Sequence, residues 1–85
     1  MVYICKIPST GYTVYESISF DIQSDLVIYS VDRIYSQSST LVMLEIGSYS
    51  ISNGVITINT EKFHAVGIFT EEKIVIDDKE YIREN

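Results

Sequence analysis

Hydrophobic and polar residues alternate with a period of two along most of this chain, the pattern of half-buried β-strands. It is clearest in Tyr49-Ser50-Ile51-Ser52-Asn53-Gly54-Val55-Ile56-Thr57-Ile58, which reads as two short strands around an Asn-Gly turn. A two-residue type I′ turn needs positive φ at both central positions, and Asn-Gly tolerates that best. The turn predicts a register: Ser52 with Val55, Ile51 with Ile56, Ser50 with Thr57 and Tyr49 with Ile58. Tyr49, Ile51, Ile56 and Ile58 then share one face, and Ser50, Ser52 and Thr57 the other, with Val55 the one exception.

The same reading extends in both directions. Val2 to Ile7 is a strand, ended by a turn at Pro8-Ser9-Thr10-Gly11 because proline removes a donor and restricts the residue before it. Tyr12 to Ile22 carries the longest alternation: Val14, Ile18, Phe20 and Ile22 share a face with Glu16, opposite Thr13, Tyr15, Ser17, Ser19 and Asp21. A charge in an apolar row predicts a bulge or bend near Glu16 that lets the carboxylate reach water. Leu26 to Val31 is apolar on both faces, and its β-branched content argues against helix. Ser36-Gln37-Ser38-Ser39-Thr40 is a polar loop.

Leu41 to Ile46 is the most hydrophobic run, broken only by Glu45. It is expected centrally in a sheet, turned by Gly47-Ser48 into the Asn-Gly hairpin. Asn59 to Lys62 is a turn and Phe63 to Phe69 a strand, in which Gly67 marks a bulge or a close approach. Glu71-Glu72 forms a tight turn. Lys73–Ile76 and Glu80–Arg83 make a final hairpin around Asp77-Asp78-Lys79, and Glu84-Asn85 is expected to fray. The fold class is therefore all-β, in one domain over residues 1–85. About eight short strands with regularly spaced turns predict a small antiparallel β-sandwich or partly closed β-barrel containing a β-meander.

Charge narrows the partners. Twelve acids against six bases give a net charge of −6, yet only 21% of residues are charged, so much of the polar surface is Ser, Thr and Tyr. A negative chain repels phosphate backbones and anionic lipid, which predicts no direct nucleic acid and no membrane as partner. No apolar run approaches the length of a membrane-spanning helix. Cys5 is the only cysteine, so no intrachain disulfide forms, which predicts a reducing, cytoplasmic location.

Candidate chemistry is sparse. His64, the one histidine, alternates along a predicted strand, and Cys5 reads as a buried, inert thiol. The spacing of a zinc site, a phosphate-binding glycine loop and a calcium loop are all missing from the sequence. No catalytic residue, metal or cofactor is predicted, and the chain is expected not to be an enzyme. The seven tyrosines are the hint of recognition, since tyrosine brings apolar area and a hydroxyl at low entropic cost. Tyr15, on a polar strand face, and Tyr35, beside the serine-rich loop, are the candidate protein-binding aromatics. Glu71, Glu72, Asp77, Asp78 and Glu80 are the candidate acidic contacts.

The functional expectation is a small protein–protein interaction or assembly module, with its partner possibly a second copy. The alternative is an acidic, virus-encoded inhibitor that occupies a basic site on a host nucleic-acid-binding protein. That alternative predicts one continuous patch of the five acids.

Overall fold

The alternating pattern is realised as eight strands in chain order: β1 (Val2–Ser9), β2 (Tyr12–Phe20), β3 (Leu26–Ile34), β4 (Ser39–Ser52), β5 (Val55–Asn59), β6 (His64–Phe69), β7 (Lys73–Ile76) and β8 (Lys79–Glu84). The structure, a computed structural model, describes residues 1–84. Each strand pairs antiparallel with the next, and β8 closes against β1 into a barrel. Closure hides most of the strand edges that eight short apolar strands would otherwise expose.

The Asn-Gly hairpin has the expected register, from Ser52↔Val55 to Tyr49↔Ile58. Asn53 and Gly54 both take positive φ, at 54° and 77°. The predicted inner face holds at Ile56 and Ile58, which are fully buried, and at Tyr49, which packs against the core. Ile51 lies near the rim and is exposed.

The interior is filled by side chains from every strand. Tyr3, Ile18, Val27, Ile56, Ile58, Ile74 and Tyr81 are fully or almost fully buried. Each such aliphatic side chain contributes about 1.5–3 kcal/mol of transfer free energy. At one end Tyr3 stacks on Phe20, with centroids 5.7 Å apart, and Tyr49 closes over Phe20 at 4.6 Å. The Tyr49 hydroxyl donates to the Asp21 carbonyl at 2.8 Å. That end is thereby plugged by aromatic rings.

Several sequence expectations are corrected. Leu41–Ile46 and Tyr49–Ser52 are not two strands turned at Gly47-Ser48 but one continuous strand of 14 residues. Gly47 is there for proximity: a Cβ on it would collide with the Asn59 carbonyl oxygen. Pro8 and Ser9 belong to β1, and the turn narrows to Thr10-Gly11, with Gly11 at φ 86°. Pro8 is tolerated because β1 pairs with β8 only from Val2 to Ile4, leaving the outer part of β1 as an edge. β2 ends at Phe20, so Ile22 falls in the following turn and is exposed.

No register shift occurs near Glu16; β1–β2 pairing runs unbroken from Val2↔Ser19 to Ser9↔Tyr12. The irregularity lies instead between Val31 and Asp32, where β4 carries Val42 as an extra residue. Of the two alternatives for Gly67, close approach is the one realised: a Cβ there would lie 2.5 Å from the Val75 carbonyl oxygen. The last turn shortens to Asp77-Asp78, with Ile76 paired to Lys79 and Asp77 at φ 53°. Glu84, expected to fray, pairs with Val2, while Asn85 lies outside the described residues.

Candidate protein-binding surface

The strands are of unequal length, and this shapes the surface. β1–β2 pairing reaches Ser9 and β3–β4 pairing reaches Ser39, but β1–β8 pairing stops at Ile4 and β4–β5 pairing begins only at Ser48. The sheet β1–β4 therefore extends past the closed barrel at one end, and the molecule measures 39 Å along its long axis against 23 and 22 Å across.

At the base of this extension sits a polar cluster inside the barrel mouth. Glu16 is only 7% exposed. Its Oε1 accepts hydrogen bonds from the Tyr29 and Tyr81 hydroxyls, both at 3.0 Å, and its Oε2 accepts from Lys79 Nζ at 2.7 Å. Phe63 stacks face to face on Tyr29, with ring centroids 3.8 Å apart. Burial pushes the Glu16 carboxyl up, but the Lys79 ammonium and the two hydroxyls outweigh it, and the net direction is down. Burial and the Glu16 charge raise both tyrosines well above their ordinary value. The expected route of Glu16 to water is thus replaced by three internal donors. No buried side-chain nitrogen or oxygen is left without a partner among the described residues. The cluster is a satisfied network that closes the barrel end.

Cys5 is buried beside Glu16 on the neighbouring strand, and burial followed by the Glu16 charge raises its thiol. His64 lies exposed on β6, its Nδ1 3.1 Å from Asn59 Oδ1. The inward Cys5 and the outward His64 do not face one another. Among the described residues no group of three or more His, Cys, Asp or Glu is placed to hold a metal ion, and no helix is long and apolar enough to cross a membrane.

The two free margins of the extended sheet differ in kind. The β1 margin carries Lys6 and Pro8, a charge and a missing donor, both of which discourage pairing with another strand. The β4 margin carries neither. Glu45 is turned toward the β5–β6 turn, where its Oε1 accepts from the Lys62 backbone N–H at 2.8 Å and from Thr60 Oγ1 at 3.0 Å. Above it, Ser39 to Leu44 pair with β3 on one side and with no strand on the other among the described residues.

This bare margin is the most hydrophobic run of the chain. Leu41, Val42, Leu44 and Ile46 are 57%, 49%, 52% and 62% exposed, and Met43 is exposed beside them. Leu41 and Leu44 lie in outer rows, Met43 lies in the inner row of Val31 and Glu16, and Val42 is the bulged residue between. Beyond the closed barrel no wall of the described residues covers this part of β4, so all four meet solvent. Register then joins them to β3: Ile46 lies beside Ile28, Leu44 beside Ser30 and Ser48 beside Leu26. Leu26 and Ile28 are exposed on the same outer wall. The wall continues through Ser30, whose Oγ lies 2.6 Å from Ser17 Oγ.

The chain matches no family model, no curated protein and no solved structure.

The residues named from the sequence are distributed unevenly around this wall. Tyr15 sits in the outer row Lys6–Tyr15–Asp32–Leu41, half-buried, with Lys6 Nζ 5.3 Å from its ring centroid. Tyr35 lies at the tip of the β3–β4 hairpin, packed against Tyr12 at 5.6 Å. The five acids are not brought together. Glu71 and Glu72 occupy the β6–β7 turn at one barrel end, and Asp77 and Asp78 the β7–β8 turn at the other. Glu80, on β8, is paired with Lys73 at 2.9 Å.

Sequence reasoning missed Leu26, Ile28, Leu41–Leu44 and Ile46 as surface residues, because a strongly apolar run reads as a central strand. A signal was available: β3 and β4 are apolar on both faces, whereas a small barrel has only one inside.

Proposed function

We propose that this protein is a non-enzymatic protein-binding module that engages another polypeptide through the outer wall of β3 and β4. The observation that carries this reading is the unguarded β4 margin, Leu41-Val42-Met43-Leu44, solvent-exposed and free of charge. Large exposed apolar patches and bare strand edges are costly in a free monomer and mark interaction sites. Tyr15 borders the wall in the same outer row as Leu41 and adds an aromatic contact. The lone buried cysteine fits a cytoplasmic setting. An acidic inhibitor would need its acids in one patch, and their division between the two barrel ends gives that reading no surface to act through.

The test is capture on the immobilised chain, offered host lysate and untagged copies of the chain, with Leu44→Lys as the comparison. Polypeptides held by the wild type and released by Leu44→Lys, with retention that survives high salt, are the expected result. Identical capture by both proteins refutes the assignment of this wall.

A further inference from the structure

Resting on that reading, we infer that the partner for this wall is a second copy of the same chain, packed β4 against β4 about a two-fold axis.

The area is the first argument. At the exposures they carry, Leu26, Ile28, Leu41, Val42, Leu44 and Ile46 together present roughly 600 Å², at the top of the ~300–600 Å² range for the largest patch of an ordinary monomer. A two-fold contact buries the same patch on both copies. Roughly 1,200 Å² in all reaches the standard range for a stable, specific interface. The barrel also gains what its size denies it. Its accessible surface is 5605 Å², against about 5,100 Å² expected for a compact chain of its mass.

Charge placement is the second argument. Copies that each carry −6 repel unless their acids stay apart. Half of the twelve acids lie between residues 71 and 84, on β8 and the turns that flank β7. In the closed order, β8 is four strands from β4 in either direction, so it lies diametrically opposite. A β4-to-β4 pair places these acidic sides at its two far ends. The nearest acids to the seam are Asp32, one strand in and beside Arg33, Asp25, whose backbone carbonyl accepts from the Tyr49 N–H, and Glu45, already occupied by Thr60 and Lys62. The β4 margin, uncharged from Ser39 to Leu44, offers a basic partner no complement.

The bulge at Val42 shapes the contact. It interrupts the regular margin, so side-chain packing rather than a long backbone ladder joins the two copies. The guarded β1 margin prevents a further copy from adding on the other side, so the assembly stops at two.

Light scattering on the eluting full-length chain, from about 1 to about 100 μM, tests this. The expected mass is twice 9.7 kDa at the upper concentrations, with association unchanged or strengthened by salt, which screens the mutual repulsion. Leu44→Lys introduces two buried ammonium groups per dimer and is expected to weaken association by more than about 100-fold with an unchanged circular dichroism spectrum. Ile82→Lys, on the exposed face of β8, keeps the dimer. A chain that stays monomeric throughout overturns the inference. If its capture of another protein still depends on Leu44, the binding-module reading stands alone; if it captures nothing, both fall. A dimer that survives Leu44→Lys overturns the inference as well.

Discussion

Replacing Glu16 by leucine should destabilise the barrel, and removing its two tyrosine hydroxyls as well should restore it. In the wild type the carboxylate accepts from Tyr29, Tyr81 and Lys79. Glu16→Leu leaves two buried hydroxyls without an acceptor, at about 1–3 kcal/mol each. Lys79 is half exposed and rehydrates at little cost. The new leucine recovers about 1–2 kcal/mol of apolar burial and no longer desolvates a charge. The expected net loss is about 2 kcal/mol, a large share of the roughly 4–13 kcal/mol available to a domain of this length. The triple variant Glu16→Leu, Tyr29→Phe, Tyr81→Phe strands no donor and should return to within about 1 kcal/mol of wild type. Urea unfolding followed by far-ultraviolet circular dichroism measures all three proteins, since no tryptophan is present. The pH dependence adds a second reading. The folded value of Glu16 is depressed, so its contribution is present above its ordinary value of 4.5 and is lost as pH falls through the folded value. The triple variant lacks this acid-labile share. A single variant as stable as wild type, or a triple variant no more stable than the single, would show that the network does not hold the barrel end.

Two further outcomes follow from the same geometry. Gly47→Ala should cost about 3 kcal/mol, seen as a fall of more than about 12 °C in Tm, because the added Cβ meets the Asn59 backbone; Gly11→Ala meets nothing within 4 Å and should cost only about 1 kcal/mol for its left-handed φ. An equal loss at the two positions would contradict the close approach of β4 to Asn59. At high pH, the raised values of Tyr29 and Tyr81 mean that their stabilising share is full below the ordinary value of 10.0 and falls as pH rises beyond it. In a spectroscopic titration these two of the seven tyrosines should ionise only as the barrel unfolds, and their ionisation in a still-folded chain would refute their burial against Glu16.

What could be read from the sequence was local. The Asn-Gly turn carries its own register, because two positive φ values admit few other geometries, and the pairing Tyr49↔Ile58 was legible from ten residues. Alternation in β2 likewise placed Ile18 and Phe20 inside and Ser17 and Ser19 outside. The glycines misled where their use was non-local: Gly47 reads as a turn residue, but its missing Cβ makes room for a strand twelve residues further on. Of the candidate site, Tyr15 was legible only as an outward residue of β2, while the apolar wall it borders was read as core.

The amino-acid order by itself determined the all-β class, the Asn-Gly hairpin and the inward rows of β2 and β5, because each follows from side chains one to four residues apart. Closure was a tertiary decision. Only the pairing of β8 with β1 brings Tyr81 and Lys79 to Glu16 across more than sixty residues, and so turns an expected exposed carboxylate into an internal acceptor. Only the unequal lengths of the paired strands leave Leu41–Leu44 on a bare margin. Hydrophobicity says that a residue gains by leaving water; the path of the whole chain decides whether its own barrel or another chain provides the cover.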